Sequence, residues 1–314
     1  LEAAGVQQIN YMPDYYGIVE RALDALNIGM DVSRLMFDTK ADQRDSMRAA
    51  RMLAKNGADC IITLGGDGTN RVVAKGTCDI PILPVSTGTN NVFPYMIEGT
   101  IAGLAAGLIA TGKVPHEEGT FTSTRLEVEV EGQFSDVAIV DAVVCDDIFI
   151  GSRAVWRIDK IRQVFLNRCS PASIGFSSIG GMIRIIAPEE PFGMHLKLGK
   201  NGQPIMAPIA PGIVETVSVE NVQLMAPGEE MDIIFNPCVL ALDGEREIEI
   251  KRGQQAAIRL GTDGPLVVDV DGDNNSEFLV PANNDQIDRD GCPPPGQFGM
   301  RAFGDTADRW MRTR

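Results

Sequence analysis

The string Leu64-Gly65-Gly66-Asp67-Gly68-Thr69-Asn70 packs three glycines, a carboxylate and a hydroxyl into the space of one tight turn. It follows an apolar run, Cys60-Ile61-Ile62-Thr63-Leu64, that predicts a buried strand carrying a small buried thiol, and a short helical pattern comes after it. Glycines at Gly65, Gly66 and Gly68 let the backbone approach a ligand closely and adopt positive φ. The helix N-terminus that follows offers unpaired N–H groups to an anion. A carboxylate among such donors is no phosphate ligand itself. Asp67 is suited instead to hold a metal ion or to take a proton from an attacking hydroxyl.

Other strings that approach known chemistry fall short of it. Gly107 to Val114 nearly spells a P-loop but lacks the final Ser/Thr for magnesium, and it lies at the end of a helical pattern. Asp269-Val270-Asp271-Gly272-Asp273-Asn274 opens like a calcium-binding EF-hand loop, yet glycine misses the sixth position and Val280 stands where Glu is needed. The two histidines, His116 and His195, belong to no triad pattern, and His116 with Glu117 and Glu118 reads as a linker. Six cysteines never approach CxxC spacing, which argues against structural zinc and against a disulfide framework.

The elements around the glycine-rich turn change rhythm along the chain. Up to residue 115 short apolar runs alternate with helical patterns. Tyr15, Val19, Ala22, Leu23 and Leu26 recur at helical spacing after Pro13-Asp14. A second helix runs from Thr39 or Asp42 to Lys55-Asn56-Gly57, Asn70 can cap a third, and Thr100–Thr111 forms a fourth closed by Gly112. With a strand at Ile80–Pro84, this is the pattern of a parallel sheet covered by helices. From Phe121 the period becomes two: Leu126, Val128 and Val130 alternate with Glu127, Glu129 and Glu131, and Gly132 turns the chain into Phe134–Val144. Further runs at Met194–Leu198, Val214–Leu224, Met231–Leu242, Ala256–Leu260 and Leu266–Val270 predict an antiparallel sandwich, interrupted by one helix over Trp156–Leu166. The expected fold is therefore α/β + β, with a Rossmann-like parallel-sheet domain over 1–115, a β-sandwich domain over 116–270 and an irregular tail over 271–314.

Composition excludes several classes of function. Hydrophobic residues make up 44% and charged residues 23% of 314, so the chain is globular and not disordered. A net charge of −15 opposes nucleic acid and anionic membranes alike. The densest basic group, Arg153, Arg157, Lys160, Arg162 and Arg168, reads as a solvated face, a loop or a small anion site. No apolar stretch reaches the roughly 20 residues of a membrane span. A cytoplasmic protein, with no nucleic-acid or membrane partner, is expected.

Gly65-Gly66-Asp67-Gly68-Thr69 resembles the signature loop shared by NAD kinases, diacylglycerol kinases and sphingosine-type lipid kinases. Pro84-Val85-Ser86-Thr87-Gly88-Thr89-Asn90-Asn91 is similar to the lipid-kinase Gly-Thr-x-Asn loop, and Leu242-Asp243-Gly244-Glu245 to the lipid-kinase Asp-Gly-Glu motif. Ser170 to Gly181 resembles a degenerate form of the NAD-kinase Thr-Pro-Thr-Gly-Ser-Thr-Ala-Tyr stretch, with Phe176 where Tyr is usual. The combination most resembles the acetoin-catabolism X-type branch, usually grouped with ATP-NAD kinases, over about residues 1–270. The family's first strand, with its Asn-Pro-x-x-Gly-like turn, has no counterpart, and the chain is expected to begin after it. The NAD-kinase Asn-Glu pair is replaced by Asn90-Asn91 or absent.

The resemblance implies an ATP-dependent phosphotransferase acting on a hydroxyl of a soluble nucleotide-like acceptor, NAD first among candidates, with NADP biosynthesis as its role. Gly65, Gly66, Gly68, Thr69, Thr87, Gly88, Thr89, Asn90 and Asn91 would bind the nucleotide, and ATP and Mg²⁺ are the implied cofactors. Asp67, Asp243 and Glu245 would be catalytic, with Asp67 and Asp243 also metal ligands. NAD-kinase-like chemistry places the base at Asp67 and lipid-kinase-like chemistry at Asp243. The alternatives are a diacylglycerol-type lipid kinase and a non-catalytic nucleotide-binding regulator. A homo-oligomer is expected.

Overall fold

A computed structural model describes residues 1–24, 26–146 and 158–270. Arg153, Arg157, the start of the expected Trp156–Leu166 helix, most of the EF-hand-like string and the 271–314 tail lie outside the described residues. The chain opens with a single 3₁₀ turn and a parallel strand pair, β1 (Gln8–Tyr11) and β2 (Asp31–Arg34), joined through α1 (Ile18–Asp24). Asp14 starts α1 by accepting hydrogen bonds from the Tyr16 and Ile18 N–H groups. Then come α2 (Gln43–Lys55), β3 (Ile61–Gly65), α3 (Asp67–Ala74), β4 (Ile82–Ser86), α4 (Gly99–Ala110) and the short α5 (His116–Gly119). Asp42 caps α2 by accepting from Arg44 N at 2.8 Å, as its side chain and position dictate.

The remaining elements are almost all strands. They are β5 (Thr120–Thr122), β6 (Arg125–Val130), β7 (Gln133–Ala138), β8 (Asp141–Cys145), β9 (Ile161–Leu166), and, after α6 (Phe176–Gly181), β10 (Gly193–Ala210) and β11 (Ile213–Met225). The chain continues through β12 (Glu230–Asp232), β13 (Cys238–Leu242), β14 (Glu245–Ile250), β15 (Ala256–Gly261) and β16 (Leu266–Val268).

Three larger sheets result. One runs in the order β3-β4-β16-β5, with β4 parallel to both its neighbours. Its last two strands come from beyond residue 115, so both ends of the antiparallel region return to complete the parallel sheet. A six-stranded sheet, β11-β10-β9-β8-β13-β14, packs face to face on a four-stranded one, β12-β15-β6-β7. Leu126, Val128, Val144, Phe165, Leu240 and Ile258 fill the layer between them. The other face of the six-stranded sheet buries Val164, Leu166, Met194 and Leu196 beneath Phe176 and Ile179 of α6.

Three local expectations change. The helix expected to reach Leu166 is a 3₁₀ turn at Ile158–Lys160 followed by strand β9. Hydrogen-bonded on both edges and packed on both faces, β9 ends in the unbroken apolar run Val164-Phe165-Leu166, and such a run has no period of two to tell it from a buried helix. Asn70 does not cap α3. That helix starts a turn earlier, after Gly66, and Asn70 is buried inside it, donating to Gly66 O at 2.9 Å and accepting from the Thr63 hydroxyl. Cys60 lies just before β3 and is only partly buried, though burial still pushes its thiol up to about 12. The strand β14 was not expected at all, because its Glu-Arg-Glu-Ile-Glu-Ile sequence carries no apolar run.

His195 on β10 is the one buried imidazole in the antiparallel region. It stacks on Phe165 at 4.6 Å, and its Nε2 lies 3.1 Å from Gln163 Nε2, which makes that ring nitrogen the acceptor. Burial lowers its pKa from the ordinary 6.5 to about 4. The folded state thus resists a proton that the unfolded chain accepts, so His195 costs stability as pH falls from about 6.5 toward 4. Melting temperatures of the parent and His195→Gln proteins should converge or cross over that window. Parallel curves would exclude His195 as a source of acid lability.

Candidate active site

Three of the strings singled out by their chemistry meet at the C-terminal ends of β3 and β4. In each case the local turn explains why. Gly66 precedes α3 in extended backbone, and a side chain there would meet Asn91 Oδ1 at 2.6 Å. A side chain at Gly68 would meet Glu245 Oε1 at 3.0 Å, and one at Gly65 would overlap Thr69 at 2.6 Å. The expected positive φ is absent at all three; these glycines are needed instead for the close approach of Thr69, Asn91 and Glu245.

Asp67 is the first residue of α3 and ties its loop to the next. Its Oδ1 accepts from Phe93 N at 2.8 Å and from Val92 N at 3.0 Å, while Oδ2 receives only the longer arm of the Val92 bond at 3.1 Å among the described residues. Below this latch, Asn91 Nδ2 donates to Ser86 Oγ at 2.8 Å, and Thr87, Gly88, Thr89 and Asn90 form an exposed tip. Burial pushes the Asp67 carboxyl upward. The Phe93 and Val92 amides and the nearby Arg168 guanidinium pull it back.

The Asp243-Gly244 dipeptide joins β13 to β14 with φ of 49° and 84°, the left-handed pair that a two-residue hairpin favours with Asp-Gly. That turn sends Asp243 inward and leaves Glu245 half-buried. Asp243 Oδ1 accepts from the amides of Ile139 (3.1 Å), Val140 (2.8 Å) and Asp141 (3.1 Å), and Oδ2 from Ile139 (3.0 Å). Arg71 Nε stands 3.6 Å from the same Oδ2. The oxygens of Asp243 are thus occupied by fixed donors, whereas Glu245 turns Oε1 to Gly68 and holds Oε2 with Gln43 (2.5 Å) and Arg71 (3.4 Å). Burial pushes Asp243 up to about 7 against the pull of Ile139 N–H and Arg71.

Three functional-looking residues escaped sequence reasoning. Arg71, 1% exposed, reaches from α3 to Asp136 (3.4 Å), Asp243 and Glu245 in the antiparallel region. Its signal was present: it lies four residues after Asp67, on the same helix face. Asp141 is buried among these groups and is pushed well up by its burial, then by Asp243 and Asp67. A single acid inside the apolar Val137–Val144 run was its mark. Arg168, read as part of a basic group, is 5% exposed and sits beneath Phe93. The Ser170–Gly181 string forms the α6 cap of the core, where side chains at Gly180 and Gly181 would overlap Cys169 Sγ (2.5 Å) and Ser170 C (2.2 Å). Among the described residues, no three His, Cys, Asp or Glu side chains converge as a ready metal cage.

A parallel-sheet α/β region, a Gly-Gly-Asp-Gly-Thr turn at its strand ends and an antiparallel region that closes over it define the class of NAD-kinase-like phosphotransferases. The family described as "ATP-NAD kinase N-terminal domain" matches residues 17–114, and "Acetoin catabolism protein X C-terminal domain" matches 124–263. Acetoin catabolism protein X of Cupriavidus necator is 36% identical over 276 residues, covering 83% of this chain and 76% of that protein. The chain belongs to the acetoin catabolism protein X family. Among solved structures, yeast NADH kinase complexed with NADH aligns over 88% of this chain and 85% of its own, at 13% identity and TM-score 0.44. No described helix is long and apolar enough to cross a membrane.

Proposed function

We propose that this protein is an ATP-dependent kinase that phosphorylates a hydroxyl of a soluble nucleotide-like acceptor, with NAD the leading candidate. The observation that carries the reading is Asp67: a carboxylate set between the two glycine-rich loops, whose Oδ2 accepts a single amide, that of Val92 at 3.1 Å, among the described residues. Phosphoryl transfer asks a protein mainly for positioning and charge neutralisation. The Gly65–Thr69 and Thr87–Asn91 loops would cradle the nucleotide with backbone N–H groups and short polar side chains. The acceptor oxygen forms its bond to the γ-phosphorus as the bond to the ADP oxygen breaks, and the hydroxyl proton passes to Asp67 Oδ2. Glu245 is the carboxylate that fits Mg²⁺, which binds through one or two carboxylates together with substrate phosphates and would neutralise their charge. Asp243, its oxygens taken by four amide contacts and Arg71, fits neither role and supports the turn that places Glu245.

The Asp243-Gly244-Glu245 string favours a second reading, a lipid kinase. A lipid kinase must work at a bilayer, which calls for a basic face or an amphipathic helix, and the net charge of −15 opposes an anionic leaflet. Incubating the protein with ATP, Mg²⁺ and a panel of NAD, NADH, diacylglycerol and sphingoid bases while following ADP decides between them. NAD phosphorylation without binding to anionic vesicles is expected. Tight co-sedimentation with those vesicles, with lipid phosphorylated faster than NAD, would overturn the soluble-acceptor reading. Binding of ATP with no turnover of any acceptor would favour a nucleotide-sensing regulator.

A further inference from the structure

Among the described residues two arginines are buried, and they run between the parallel-sheet and antiparallel regions in opposite directions. Arg71 starts in the parallel-sheet region and ends among Asp136, Asp243 and Glu245. Arg168 follows β9 in the antiparallel region and ends against the loop that carries Phe93. Its guanidinium lies 4.6 Å from the Phe93 ring centroid and donates through Nη2 to Ser123 Oγ at 2.6 Å. Its own carbonyl accepts from Ser177 Oγ at 3.0 Å, which anchors the backbone to α6. A cation held over an aromatic face is attracted by the ring more strongly where both are desolvated than at an exposed site. Phe93 is in turn the residue whose amide makes the shortest hydrogen bond to Asp67, at 2.8 Å.

We infer that Arg168 is a positioning residue for Asp67: it clamps Phe93, and the Phe93 and Val92 amides then hold the Asp67 carboxylate at the mouth of the nucleotide loops. The inference deepens the kinase reading and rests on it for its kinetic consequence. Its structural consequence stands alone. The clamp also explains why a cation is buried where solvation would otherwise favour exposure. Arg168 is pulled down to about 10 by burial, with Asp67 foremost among the negative charges that oppose the shift. The arrangement makes the geometry of the first loop depend on a side chain supplied by the region that closes over it. A misfolded or displaced antiparallel region would then leave the nucleotide loops without a fixed carboxylate.

Hydrogen exchange followed at the Val92 and Phe93 amides tests the clamp without any assay of turnover. In Arg168→Met these two amides should exchange at least tenfold faster, while amides of β8 and β9 keep parent rates. Arg168→Lys, which keeps the charge and loses the planar stack, should recover part of the protection. Phe93→Leu removes the ring and leaves Arg168 in place, so it should release the same two amides even if the Met variant fails to fold. With NAD as acceptor, Arg168→Met should lower kcat by about thirtyfold or more and leave the KM for ATP within about threefold, because the cradle loops are not themselves altered. Unchanged exchange at both amides in Phe93→Leu would overturn the clamp. A loss that appears only in KM would overturn the positioning role. If the parent protein transfers no phosphoryl group but the exchange pattern appears, the kinase reading fails and the clamp stands.

Discussion

Asp67→Asn should lower turnover by two or more orders of magnitude and leave the melting temperature nearly unchanged. General-base catalysis by a placed side chain contributes about a hundredfold to ten-thousandfold, and Asn cannot take up the proton. The fold tolerates the change because Asn keeps a carbonyl oxygen where Oδ1 now accepts from Phe93 and Val92, so the structural loss is that of a weakened hydrogen bond, about 1 kcal/mol. The companion variant Asp243→Asn separates the two kinase branches. With its carboxylate walled in by the Ile139, Val140 and Asp141 amides, kcat per folded molecule should stay within about tenfold of the parent. Steady-state kinetics on both variants checks the pair. Near-normal kcat in Asp67→Asn would make Asp67 a loop latch and nothing more, and abolished kcat in a stable Asp243→Asn would return the base to Asp243.

The second large effect is on stability. Arg71→Met removes the cation that faces Asp243, Glu245 and Asp136, and it leaves Asp243 with a fully buried side chain and no ionic partner from α3. Breaking a buried pair in this way costs about 3–5 kcal/mol, because the remaining charge has lost its compensation and cannot regain water. The loss should depend on pH in a stated direction. Asp243 already titrates near 7, raised by burial, and without Arg71 it rises further. A raised carboxyl favours folding below its pKa and loses that advantage above it, so the gap between variant and parent widens as pH climbs through about 7 and narrows toward acid. Chemical denaturation at pH 5.5 and 8.5 on both proteins measures it. A gap under about 1 kcal/mol at the higher pH, or one that shrinks as pH rises, would show that Arg71 is no counter-charge to Asp243.

Much of the local structure was written in neighbouring residues. Asp42 and Gly57 bracket α2, Gly132 turns β6 into β7, and Asp243-Gly244 makes a two-residue hairpin. Each of these depends on the φ/ψ or capping capacity of one or two side chains, which a sequence states openly. The Gly65–Thr69 turn was legible for the same reason, since only a backbone meant for close approach spends three glycines in five positions. β9 and β14 were not legible. One is a central strand whose Val164-Phe165-Leu166 run has no period of two, and the other is an edge strand whose charged residues interrupt the core-packed Ile248 and Ile250.

By itself, then, the sequence determined most of the elements, the net charge of −15 and the presence of a glycine-rich loop with a carboxylate in it. Only the tertiary structure decided what each carboxylate is free to do. Asp67 and Asp243 are the same residue type in equally short Gly-containing strings, yet Asp67 accepts from the two amides of Val92 and Phe93, whereas Asp243 accepts from three amides and faces the Arg71 guanidinium as well. The cause is distance along the chain. The donors that fill Asp243 lie about a hundred residues away at Ile139–Asp141, and those that orient Asp67 lie 25 and 26 residues away at Val92 and Phe93. The arginines that hold the two halves together, Arg71 and Arg168, are buried only once the parallel and antiparallel regions have closed over them. Local propensity carries no term for a partner supplied by another sheet, and the desolvation that makes such a partner matter exists only in the folded protein.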